Sequence, residues 1–160
     1  QKKFFNFKKD IFFNNFALGA SVSLKEFYIT NRTDSSSFLK IVEKENKSEN
    51  YIVKAKREIQ IQTLDNYFNN KTILQPLLIK MDVQGYELEV LKGSVKILKK
   101  TDYLLLEVSE NEMYQTQPTE SEIIEFLKKF NFRILKASDW HTIKDTNFKQ
   151  RDILFKRNNE

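Results

Sequence analysis

One segment, LLIKMDVQGYELEVLKG, constrains the fold of this 160-residue chain more than any other. It opens with the apolar run Leu77–Ile79, and Asp82 follows soon after that run ends. A turn glycine, Gly85, comes next, and the apolar Leu88 and Leu91 then stand three residues apart. An apolar run, a turn and a helical spacing in this order predict a buried parallel strand, its carboxyl end and the start of a helix.

Two carboxylates are predicted at one edge of the sheet. Asp82 follows the first apolar strand, and Glu107 ends the next one, Tyr103–Val108. Ligands of open α/β sheets bind beyond the carboxyl ends of the strands. Neighbouring strands lie about 4.8 Å apart, so both side chains are expected in one crevice. Two structural alternatives stay open: Asp82 can cap the following helix, and Glu107 can bond to nearby backbone amides.

Other segments predict the rest of an α/β domain. Thr119 and Glu122 form a capping box for a helix over Thr119–Phe130, and Gly93 divides the helical region before it into two short helices. The predicted strands, besides the two already named, are Ile11–Leu18, Leu24–Thr30, Glu58–Thr63, Phe132–Ala137 and Asp152–Lys156. This order predicts a mostly parallel sheet with a final antiparallel strand.

The motif K-x-D-V-Q-G-Y-E-L-E-V-L-K-G, with Thr63–Asp65 before it and Leu104–Val108 after it, resembles the FkbM-type methyltransferase family. The resemblance extends from about residue 15 to about residue 155. It implies a Rossmann-like class I methyltransferase sheet and S-adenosylmethionine as the cofactor. It also implies O-methylation of a hydroxyl on a sugar, a glycan or a secondary metabolite. We therefore expect a methyltransferase with a small-molecule or glycan acceptor.

The glycines of the chain bear on cofactor binding. The sequence contains only Gly19, Gly85 and Gly93, and none lies in a glycine-rich turn after a strand. Such turns let backbone amides approach a nucleotide closely. In the resembled family this loop precedes the residues seen here. The resemblance therefore implies that residues 1–160 form a single methyltransferase domain that is incomplete at its N-terminus.

The resemblance also implies which residues bind the cofactor. Phe16, Ala17 and Leu18 correspond to the segment that lies by the adenine in the family, where they offer an apolar surface and a backbone amide. Asp82 is expected to complement the positively charged sulfonium. These four residues are the cofactor-binding candidates.

Methylation of an alcohol requires alignment of the hydroxyl and removal of its proton. Asp82 is the first candidate for the proton acceptor, and Glu107 is a candidate for orienting the hydroxyl. His141 can titrate near neutral pH and is a further candidate base. It is predicted in a polar loop beside Trp140, so a surface position or a contact with the acceptor is the alternative.

Composition excludes several other classes of protein. The chain has no cysteine and one histidine, which excludes thiolate and histidine-rich metal sites, and we expect no metal. No apolar stretch reaches the length of a membrane span, and no signal-peptide pattern is seen, so we expect a cytoplasmic protein. The net charge of +5 favours anionic partners, although lysines alternating with glutamates are typical of a solvated surface.

Two alternative functions remain at this stage. A basic nucleic-acid-binding module fits the net charge, but the phenylalanines follow strand-like patterns and no nucleic-acid-binding signature is present, so we expect no nucleic acid. A non-catalytic, truncated remnant fits the missing cofactor loop. The polar segment Asn31–Ser37 is equally compatible with a mobile linker and with the rim of a binding site.

Overall fold

A computed structural model describes residues 11–42, 51–144 and 146–158 of the chain. A first, three-stranded sheet contains β1 (Ala17–Leu18), β2 (Ser23–Thr30) and β3 (Val53–Gln62). Its spatial order is β1-β3-β2, with β1 parallel and β2 antiparallel to the central strand. A short 3-10 helix, Thr33–Ser35, follows β2.

A second, five-stranded sheet forms the other half of the fold. Its strands are β4 (Leu78–Met81), β5 (Tyr103–Ser109), β6 (Phe132–Ala137), β7 (His141–Thr142) and β8 (Lys149–Arg157). The order is β4-β5-β8-β6, and β7 pairs with β8. Among the described pairs of this sheet, β4 and β5 are hydrogen-bonded in parallel, whereas β8 is antiparallel to β5, β6 and β7.

Both sheets of the described residues are mixed. In the second sheet, however, β4, β5, β6 and β7 run in one direction, as expected for a mostly parallel sheet, and β8 runs opposite to them. The predicted final antiparallel strand is confirmed by β8. The physical reason lies in the connections. Parallel neighbours need a crossover, usually a helix, and β4 reaches β5 through helices. Between β6 and β8 the described residues form the two-residue strand β7 and loops, without a crossover helix, so these strands pair antiparallel.

Four α-helices accompany the sheets in the described part of the chain: α1 (Leu64–Tyr67), α2 (Glu87–Lys92), α3 (Val95–Leu98) and α4 (Glu120–Lys128). The predicted capping box is confirmed, because Thr119 and Glu122 each accept a backbone N–H of the other. The predicted division at Gly93 is also confirmed, since α2 ends there and α3 starts two residues later. Among the described helices, none is long and apolar enough to cross a membrane.

One hydrophobic core joins both sheets. Leu104 and Leu106 of β5 are fully buried, and Ile61 of β3 packs in the same cluster. Burial of a side chain of this size contributes about 1.5–3 kcal/mol. The predicted strand Ile11–Leu18 is shorter than expected, because only Ala17–Leu18 pairs with a neighbouring strand. Phe13, 94% exposed, contributes nothing to the core.

Gly93 lies where α2 approaches the first sheet, and its replacement is expected to be costly. A Cβ atom there would clash with the carbonyl oxygen of Gly19. We expect Gly93→Ala to lower the free energy of unfolding by about 3 kcal/mol, because overpacking against backbone forces the two segments apart. Urea denaturation measures the change. Lys92→Ala, which removes only an exposed side chain, is the matched control, and equal losses in both variants would contradict the close approach.

Candidate active site

A cleft of about 850 Å³ lies where the carboxyl ends of β4 and β5 face the first sheet. Its volume is in the range of small-molecule binding sites. All six residues that the sequence predicted for the site line this cleft: Phe16, Ala17, Leu18, Asp82, Glu107 and His141. The fold thus brings together side chains from both sheets.

The two predicted carboxylates are neighbours. Strands β4 and β5 pair in parallel with Met81 opposite Leu106. Asp82 and Glu107 each follow that pair by one residue, and both line the cleft. The predicted adjacency of the two strand ends is therefore confirmed.

Asp82 is oriented by the amide of Gln84. The Nε2 group of Gln84 donates to Oδ1 of Asp82 over 2.7 Å. The Tyr114 hydroxyl lies 2.9 Å from Oε1 of the same amide and 3.0 Å from the Ser35 carbonyl, and its proton is shared between these two acceptors. Contact with Oε1 directs the NH₂ group of Gln84 toward Asp82. Burial raises the pKa of the Tyr114 phenol, so the hydroxyl keeps its proton and stays a donor. Lys80 contacts Oδ2 at 3.3 Å, but this exposed ion pair is weak.

The backbone of Gln84 is also held. Its φ of 53° lies in the left-handed region, which is uncommon outside glycine, and Gly85 follows with a φ of 86°. The Ser37 hydroxyl donates to the Gln84 carbonyl over 2.7 Å. A contact from the far side of the cleft therefore stabilises the turn that carries Asp82.

Glu87 organises the same turn from within. Its carboxylate is buried and accepts the backbone N–H groups of Val83 and Gly85 over 3.3 and 3.2 Å. Burial raises the pKa of Glu87, although these hydrogen bonds oppose the shift. The capping alternative for Asp82 is wrong, because α2 has Tyr86 at its N-cap position and no side-chain cap.

Glu107 points into the cleft without a hydrogen bond from any described residue. The alternative in which it bonds to nearby backbone amides is therefore wrong. Burial, followed by the negative charges of Asp82 and Asp152, raises the pKa of Glu107 to about 7. A carboxyl of this kind exchanges its proton near neutral pH, which is a property of catalytic groups.

His141 lies at the rim of the cleft and is exposed. The predicted loop position is wrong, because His141 belongs to β7 and pairs with Gln150 of β8. Its neighbour Trp140 does not line the cleft. The Arg151 guanidinium stacks on the Trp140 ring at 4.4 Å, so this aromatic residue anchors the loop.

Sequence reasoning missed the aromatic wall of the cleft. Phe27, Phe38 and Tyr86 line it, with the Phe38 ring 4.9 Å from Phe27 and 5.0 Å from Tyr86. The only available signal was the position of Tyr86 beside the turn glycine. The segment Arg32–Ser36 also lines the cleft, which is the position that the interpretation as the rim of a binding site requires.

Comparison with known protein families shows the family of this chain. The sequence model of the Methyltransferase FkbM domain matches residues 2–134, which is most of the chain. The chain belongs to this family. The resemblance inferred from the central motif is thereby confirmed. Membership of the FkbM family supports the interpretation of this chain as a methyltransferase. Neither a curated protein nor a solved structure matches the chain.

Proposed function

We propose that this FkbM protein transfers the methyl group of S-adenosylmethionine to a hydroxyl oxygen of a sugar, a glycan or a secondary metabolite. One observation carries the proposal. Asp82 follows the last residue of β4, Glu107 lies near the carboxyl end of the neighbouring parallel strand β5, and both line one cleft in a chain that belongs to a methyltransferase family.

The lining of the cleft fits the cofactor. Phe16, Ala17 and Leu18 provide an apolar surface suited to an adenine ring, and the aromatic wall of the cleft extends it. The exposed Asp82 carboxylate complements a sulfonium charge. S-adenosylmethionine supplies a methyl group on a positively charged sulfur that leaves readily.

The acidic side of the cleft would carry the acid–base chemistry. Asp82, held by Gln84, accepts the proton of the acceptor hydroxyl. Glu107, with its raised pKa, donates a hydrogen bond that orients the acceptor. His141 at the rim contacts the outer part of the acceptor. A general base of this type contributes about a hundred- to ten-thousand-fold to the rate.

The architecture supports the same proposal at the level of the fold. The order β4-β5-β8-β6, with β8 antiparallel, suits a Rossmann-like class I methyltransferase sheet. The shared core of the two sheets supports one domain. Fold alone does not establish function, so the proposal depends on the carboxylates and the family.

A tritium-transfer assay tests the proposed function. The protein is incubated with S-adenosylmethionine labelled in its methyl group, at millimolar concentration, and with a panel of sugars and polyols. We expect label in an O-methyl ether that survives mild alkali. Label released by alkali would show esterification of a carboxylate, and no transfer to any acceptor would favour a non-catalytic protein.

Cofactor affinity is a separate prediction. Because these 160 residues contain no glycine-rich turn, few backbone amides can approach the nucleotide. We expect the chain to bind S-adenosylmethionine weakly or not at all. Isothermal titration calorimetry measures this directly. A micromolar dissociation constant would show that the residues of the cleft suffice without such a turn.

A further inference from the structure

Gln150 is a buried amide whose side chain has no partner among the described residues. The residue lines the cleft and is only 8% exposed. Its backbone pairs within the sheet, yet no described residue forms a hydrogen bond with its side-chain carboxamide. Buried polar side chains are nearly always hydrogen-bonded, and an unpaired one costs free energy. An orphaned amide that faces a cavity indicates a ligand that would pair with it.

Two polar side chains near Gln150, Ser109 and Gln117, are hydrogen-bonded to each other. Gln117 donates through Nε2 to the Ser109 hydroxyl over 2.9 Å. The Oε1 atom of Gln117 accepts the backbone N–H groups of Met113 and Tyr114. These bonds leave Gln150 out, although Ser109 is its cross-strand neighbour. Hydrogen bonds with these neighbours therefore do not explain why residue 150 has an amide side chain.

The position of Gln150 assigns it to the acidic side of the cleft. It lies opposite Ser109 of β5 and opposite His141 of β7. Side chains of residues two apart on a strand share a face, so Glu107 lies on the face that carries Ser109. Gln150 thus stands beside Glu107 and His141, in the second sheet, whereas Phe16–Leu18 belong to the first sheet or lead into it.

On the basis of the proposed methyl transfer, we propose that the Gln150 side chain binds the acceptor by hydrogen bonds to two adjacent hydroxyls of an uncharged diol. A carboxamide presents an acceptor oxygen and a donor nitrogen side by side. Each hydroxyl both donates and accepts, so a vicinal diol pairs with both atoms. The nearby Asp82 and Glu107 disfavour an anionic group at the same place.

The ribose of the cofactor also contains a vicinal diol, so the experiment must separate the two sources. The side-chain amide signal of Gln150 in a ¹H–¹⁵N NMR spectrum is assigned by its loss in Gln150→Leu. Three probes are titrated into the 160-residue chain: cis-1,2-cyclohexanediol, cyclohexanol as the single-hydroxyl control, and S-adenosylhomocysteine. Binding is read without methyl transfer, so an inactive protein would not affect this result.

We expect the diol to shift the Gln150 signal and to bind more tightly than cyclohexanol. Gln150→Leu is expected to weaken diol binding about five- to tenfold, which is typical of a lost hydrogen bond. Its melting temperature should stay unchanged or rise, because an unpaired buried amide is removed. Gln115→Leu, at an exposed glutamine outside the cleft, is the matched control and should change neither property.

Three results would overturn the proposal. Equal affinity for the diol in wild type and Gln150→Leu, including no binding in either, would remove the role of the amide. A lower melting temperature of Gln150→Leu would make Gln150 a structural residue. A shift of the Gln150 signal by S-adenosylhomocysteine and not by the diol would assign the amide to the cofactor.

Discussion

Asp82→Asn is expected to reduce methyl transfer by about a hundred- to ten-thousand-fold, the usual contribution of a general base. The amide oxygen of asparagine still accepts the hydrogen bond from Gln84, which is 2.7 Å long in the wild type. The substitution therefore keeps the geometry of the turn and removes the proton acceptor. The initial rate of methyl transfer, compared between wild type and variant at the same millimolar cofactor concentration, measures the loss.

Stability separates this role from a structural one. The Asp82 side chain is exposed, and its ion pair with Lys80 contributes little to folding. We expect the melting temperature of Asp82→Asn to match that of the wild type. Asp139→Asn makes the same chemical change at an exposed residue outside the cleft and should leave turnover unaffected. A lower melting temperature of Asp82→Asn with normal turnover of the folded protein would make Asp82 a structural residue.

Glu107→Gln is the second large expected effect. The substitution removes a carboxyl that faces the cleft beside Asp82. Groups that act as a unit lose function together. We therefore expect the single change to lower turnover, and the double variant with Asp82→Asn to lose little more than the worse single variant. Rate losses that multiply would mean that the two side chains act independently.

The pH dependence of turnover tests the same pair. Burial and the negative charge of Asp82 raise the pKa of Glu107 to about 7. If protonated Glu107 orients the acceptor, turnover falls as the pH rises through 7. In Asp82→Asn this inflection should move to lower pH, because one negative charge near Glu107 is gone. The Glu107→Gln variant should show no inflection near pH 7. If the inflection persists in this variant, it belongs to another group.

The raised pKa of Glu107 also has a consequence for stability. The folded protein holds the Glu107 proton more tightly than the unfolded chain, in which the pKa is near 4.5. Its contribution to stability is therefore complete below pH 4.5 and is lost as the pH rises to about 7. Glu107→Gln removes this loss, so the variant should melt above the wild type at pH 8. The difference should disappear at low pH.

The contacts around Asp82 give a physical reason for several residues of the central motif. Gln84 orients the carboxylate, Gly85 allows the turn, and Glu87 binds the backbone amides of that turn. Each of these three residues therefore helps to hold Asp82 in place. Their individual tasks were not evident from sequence, because carboxylate and amide side chains near a helix start have several local uses.

The sequence by itself determined the features that depend on neighbours in the chain. The capping box of Thr119 and Glu122 and the helix break at Gly93 require contacts only a few residues apart. The meeting of Asp82 and Glu107 also follows from sequence, because both lie near the carboxyl ends of apolar strands, and the carboxyl ends of parallel strands share an edge.

Only the tertiary structure decided which distant side chains meet. The bond between Tyr114 and Gln84 spans thirty residues, and that between Ser37 and Gln84 spans forty-seven. The burial of the Gln150 amide and the raised pKa of Glu107 likewise depend on packing, which periodicity does not specify for polar residues. The antiparallel pairing of β8 with β6 depends on the path of the chain between these two strands. Local pattern determines the elements, whereas hydrogen-bond partners and electrostatic fields arise when those elements pack.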